Sequence, residues 1–149
     1  MSGLWDCEDR RMVRVGEFFL AKDDESALRV GPRRSHDFPA VPCDGIYPDD
    51  AVLRWEAQLT GARSTLRDVV PMANDGFTAF VVPEPLCRAL AAAGGARLRA
   101  AARAWAEATS EPDDEISPAD AADLLERVAA LAGSRAEERL DLYCWYFAP

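Results

Sequence analysis

LDLYCWYF, residues 140–147, is the stretch on which the fold turns. Side chains on a strand alternate between faces, so Leu140, Leu142, Cys144 and Tyr146 share one side, and Asp141, Tyr143, Trp145 and Phe147 share the other. Both sides are apolar but for Asp141. A strand of this kind normally sits in the middle of a sheet, covered above and below. In the alternative its aromatic side stays open. Tyr143, Trp145 and Phe147 would then form a binding patch of the residue types that dominate protein interfaces. Central placement is the default expectation.

Upstream, Ser117 is placed to cap a helix, with Pro118 at its first position and Asp120 at its third. Ala121, Leu124, Leu125, Val128 and Leu131 or Ala132 then repeat at helical spacing, and Gly133 is expected to close the helix. Residues 96–108 read as another helix, with Leu98, Ala102 and Trp105 on one face. Gly94-Gly95 separates it from a helix that starts at Pro83 or Pro85 and runs through Ala93. FTAFVV, residues 77–82, follows the Asn74-Asp75-Gly76 turn and suits a strand.

In the first half, MVRVGEFFL at 12–20 also suits a strand. Asp23 or Asp24 caps a short helix through Arg29. Asp49 or Asp50 is expected to cap a second helix that Gly61 stops. On it Val52, Trp55 and Leu59 make an apolar stripe interrupted by Glu56. Residues 64–70 are expected to add a turn of helix before Pro71. Between the two helices, residues 31–48 hold Pro32, Pro39, Pro42 and Pro48 and form a long loop with one short extended piece. Loops of this length inside a compact domain are uncommon and often functional.

These elements imply one α+β domain over residues 1–149, with a small mixed or antiparallel sheet of three or four strands and four or five helices on one side. The order of pieces also carries a resemblance. FFLA-K-DDESALR, D-G-I-Y-P-D-D, W-E-A-Q-L-T-G at 55–61, V-V-P-E-P-L-C-R-A-L and the terminal L-Y-C-W follow one another along most of the chain. The sequence resembles a set of small actinobacterial proteins of uncharacterised function and, more distantly, the YfbM-like family. The resemblance implies an α+β fold and assigns no activity, cofactor or site residue.

Charge narrows the function classes. The chain has 26 acidic and 17 basic residues, a net charge of −9. Eleven acidic against four basic groups fall in residues 101–149. Such a balance repels nucleic acid and anionic lipid and favours a basic protein partner. No apolar run approaches the ~20 residues of a membrane span. MSGLWDCEDRR lacks the apolar core of a signal peptide, so a cytoplasmic protein with free thiols is expected. Cys7, Cys43, Cys87 and Cys144 are far apart and His36 is the only histidine, so no zinc-ligand spacing exists and neither metal nor cofactor is expected.

Two groups of residues carry chemistry. His36-Asp37 and Cys43-Asp44 bring a base, a nucleophile and carboxylates into one loop, so His36, Cys43 and Asp44 are the candidates for a thiol-dependent reaction. The plainer interpretation is a surface histidine beside a half-buried cysteine. Asp113, Asp114 and Glu115 form an acidic loop, a solvated segment or part of a docking face. Asp23-Asp24-Glu25 and Asp49-Asp50 sit at helix starts, where capping explains them better than metal binding. Arg88, Arg97, Arg99 and Arg103 are expected to form a solvated face. With no complete catalytic set, an inhibitor-like, immunity-type or regulatory binding protein is favoured over an enzyme. A cysteine-dependent enzyme using the 31–50 loop and a small-ligand binder are the alternatives.

Overall fold

The computed structural model describes residues 15–29, 39–71, 76–109 and 116–147. Five strands form one antiparallel sheet: β1 (Val15–Ala21), β2 (Ala40–Pro42), β3 (Arg67–Val70), β4 (Phe77–Val81) and β5 (Asp141–Phe147). Their order is β2-β1-β5-β4-β3, so the C-terminal strand is central, as its two apolar faces require. Its seven residues pair along the whole of β1, from Val15 opposite Phe147 to Ala21 opposite Asp141. Its other edge pairs with β4.

Four helices cover one face: α2 (Pro48–Thr60), α3 (Glu84–Ala92), α4 (Gly95–Ala108) and α5 (Pro118–Glu138). Their apolar stripes meet Phe18, Leu142, Cys144 and Tyr146 in one core. At its centre Trp55 is fully buried, 5.7 Å from the Phe18 ring and edge-on to Trp105 at 5.2 Å. Aromatic pairs in such geometry add to the stabilisation that area burial supplies. The short α1 (Asp24–Leu28) lies on the opposite face, where Ala27 packs with Phe19, Tyr143 and Trp145. All helices were expected on one side. The arrangement differs because α1 is tied to β3 and β5 through Asp24, not to the helical layer.

The expected caps at Asp23 and Ser117 are made. Ser26 N donates to Asp23 Oδ1 at 2.8 Å, and Asp120 N donates to Ser117 Oγ at 3.0 Å. Gly61 ends α2 with φ 76°, the left-handed geometry glycine favours. Four expectations need correction. The sheet has five strands, not three or four, because Ala40–Pro42 and Arg67–Val70 pair onto its two edges. Residues 67–70 form a strand, not a helical turn, because Val69-Val70 suits extended backbone and β4 supplies the pairing. Asp49 and Asp50 lie in the first turn of α2, since Tyr47 occupies its cap and Pro48 its first position. Helix α5 runs past Gly133 to Glu138. It stops where Arg139 turns left-handed at φ 56° and Leu140 N donates to Arg135 O, a Schellman closure without glycine.

Glu56, the residue that interrupts the α2 stripe, is fully buried. Its carboxylate accepts from Ser64 N at 2.7 Å and Ser64 Oγ at 2.6 Å, which fixes the loop between α2 and β3. At the end of the same helix Arg97 donates to the Leu59 carbonyl, a cation placed at a helix C-terminus.

Candidate functional site

Among the clefts at the described surface, two carry clusters of carboxylates. The first lies beside β2. Cys43 follows that strand, and its N–H donates to Gly16 O at 2.9 Å. Its thiol rests over Gly16, where a Cβ would come within 3.1 Å of Sγ. Asp44 turns back and accepts from Gly16 N at 3.0 Å. The neighbouring buried thiol is Cys144, pushed well above the ordinary thiol range by burial first and by its hydrogen bond with Cys43 next. Cys43 and Asp44 are thus brought together with β1. His36 lies outside the described residues, as do Asp113, Asp114 and Glu115.

From this corner a cleft of about 430 Å³ opens towards the start of α5, lined among others by Cys43, Asp44, Ser117, Asp120, Asp123 and Arg127. Arg127 pairs with Asp123 one helical turn away at 3.4 Å. Three carboxylates and one guanidinium line the cleft, so the lining carries a negative excess beside the apolar Ile46, Ile116 and Leu124. Such a surface attracts a basic group.

The second cleft, about 520 Å³, lies over β3 and β4. Its residues come from α2 (Asp49, Leu53), the Glu56-anchored loop (Ser64, Thr65, Leu66) and the sheet (Asp68, Thr78, Phe80, Tyr146). Tyr146 is only 4% exposed, and its phenol lies within the electrostatic reach of the Asp49 carboxylate. Burial first, and the Asp49 carboxylate next, push its phenol above the ordinary range, so it stays protonated. The sequence reading missed this cleft. Asp49 reads locally as a helix-start acid, Asp68 as part of a helical turn and Tyr146 as sheet core, and nothing in their spacing joins them.

Tyr143, Trp145 and Phe147 lie on the face away from the four helices. Tyr143 and Trp145 are buried and Phe147 is half-buried. Trp145 stacks on Phe77 at 6.1 Å and donates from Nε1 to Glu17 Oε1 at 3.2 Å. Tyr143 stacks on Phe19 at 5.7 Å and donates to Asp24 Oδ1 at 2.9 Å. Arg67 holds the same carboxylate from β3, with Nη1 2.6 Å from Asp24 Oδ2. This is the covered alternative for the terminal strand at Tyr143 and Trp145.

No family model, curated protein or solved structure matches the chain. Among the described residues, no helix is long and apolar enough to cross a membrane.

Proposed function

We propose that the protein is an intracellular binding protein, of inhibitor, immunity or regulatory type, that docks a basic protein partner. The observation that carries this is the convergence of Asp44, Asp120 and Asp123 on one open cleft. Opposed charge of this kind accelerates encounter and selects against acidic competitors more than it adds raw affinity. The net charge of −9 extends the attraction beyond the cleft. Cys43, Cys87 and Cys144 are free thiols, which suits a reducing compartment.

The test is capture by the immobilised protein from its source cells at low salt, with the retained protein identified, purified and titrated back. The expected partner is basic, and raising salt to about 0.5 M should release it, since screening then acts over a few ångströms. The combined substitution Asp44→Asn, Asp120→Asn and Asp123→Asn keeps the acceptor of the Gly16 N–H and removes the charge. It should slow association at least about tenfold. A retained protein that is acidic, salt-insensitive or indifferent to the triple substitution would defeat the proposal, as would retention of nothing.

A further inference from the structure

The cleft over β3 and β4 is a built cavity, not a chance depression. Its wall at residues 64–66 is held by the buried Glu56 carboxylate, which takes both the backbone and the hydroxyl of Ser64. Its base is the sheet itself, where Thr78 is paired opposite Tyr146 and Phe80 opposite Asp68. Thr78 is buried and spends its hydroxyl proton on Val70 O at 2.6 Å, which secures β3 against β4 below the cavity. These contacts hold the cavity's shape before any ligand arrives, which lowers the ordering cost of binding.

Its chemistry is one-sided. Asp49 and Asp68 contribute two carboxylates, and among the described residues no lysine, arginine or histidine lines it. The Asp49 carboxylate accepts from the Asp50 N–H at 2.8 Å. The rings of Phe80 and Tyr146 pack edge to face at 6.4 Å and are both buried, so they form a firm floor and leave recognition of charge to the two carboxylates. Leu53 and Leu66 give an apolar wall. The volume of about 520 Å³ falls within the range of small-ligand sites. The contrast with the Cys43 cleft is direct, since there Arg127 already answers part of the negative charge.

We propose that this second cleft binds an organic cation, an amine or guanidinium head on a short apolar stem. The head lies between Asp49 and Asp68 and the stem lies along Leu53 and Leu66. A free diamine or guanidine and the arginine side chain of a peptide share this chemistry. The inference does not depend on the proposed docking function, because it concerns different residues.

The experiment titrates agmatine, and separately the capped tripeptide N-acetyl-Gly-Arg-Gly-amide, into the full chain at low salt while following backbone amide resonances. Saturable shifts centred on Thr65, Leu66, Asp68 and Thr78 are expected. Tighter binding of agmatine identifies a free cation as the ligand, and tighter binding of the tripeptide identifies a presented side chain. Asp68→Asn alters an exposed residue and should weaken binding about tenfold, the scale of one charge-assisted hydrogen bond. Asp49→Asn should do the same, while Tyr146→Phe, which keeps the ring, should cost a smaller factor. The triple substitution in the Cys43 cleft should leave the titration unchanged, so failure of one proposal is separable from failure of the other. Absence of saturable shifts with either probe, or shifts that Asp68→Asn leaves intact in a folded protein, would overturn the inference.

Discussion

Trp55 and Trp145 are both buried to within 1% of complete, on opposite sides of one sheet, and they are held in different ways. Trp55 packs between Phe18 and Trp105, and its indole N–H has no partner among the described residues. Trp145 stacks on Phe77 and gives its N–H to Glu17. The pattern extends to their neighbours. The helical face is held by shape, with the Glu56 clasp at its margin. The other face ties its aromatic hydroxyl and indole to carboxylates, through Tyr143 to Asp24 and Trp145 to Glu17. One face should therefore respond to lost volume and the other to lost charge.

The largest expected effect is on the helical face. Trp55→Ala should lower stability by about 3–5 kcal/mol, since the cavity has helices on one side and sheet on the other and collapses poorly. Denaturant unfolding would measure it, and the loss should not change between pH 4 and pH 7, about the range over which carboxylates finish ionising. Next comes Gly16→Ala, at about 1–3 kcal/mol of overpacking. A Cβ there would lie 2.9 Å from the Trp145 carbonyl oxygen and 3.1 Å from Cys43 Sγ, and the former belongs to backbone that cannot give way. A neutral Gly16→Ala would mean that β1 and β5 are less tightly joined than their register implies.

The smallest effect belongs to the polar face and appears only in acid. Asp24 titrates below the ordinary carboxylate range, chiefly through its hydrogen bond with Arg67 and next through that with Tyr143. A depressed folded-state pKa gives stability that is present above the unfolded value, about 3.9, and is lost as pH falls through the folded one. Arg67→Gln should therefore flatten the fall in stability below about pH 4. The Asp24 and Arg67 side chains are both about half exposed, so solvent screening keeps the difference small. If Trp55→Ala altered the acid limb as much as Arg67→Gln does, the contrast between the two faces would fail.

The two clefts show how far such contrasts can be read in advance. The Cys43-Asp44 corner was visible because its residues are adjacent and chemically unusual. The loop holding them was marked by its prolines. Its neighbours Asp120, Asp123 and Arg127 were not, because Asp120 reads as part of the Ser117 cap and the other two as ordinary polar positions of a helix. Glu56 stood out as an acid in an apolar stripe, but its partner Ser64 is an unremarkable loop residue. The helix end at Glu138 was misplaced because the left-handed turn fell to Arg139 and not to Gly133.

Local pattern alone determined the central position of the terminal strand, the caps at Asp23 and Ser117, the stop at Gly61 and the net negative charge. Apart from the charge, a sum over the whole chain, each depends on residues within a few positions of one another, where alternation and hydrogen-bond reach act directly. Only the tertiary structure decided that α1 lies opposite the other helices, that Arg67–Val70 is a strand, and that Asp49, Asp68 and Tyr146 share a cleft. Those outcomes come from pairing and packing between segments far apart in the chain, whose relative placement no short-range preference encodes.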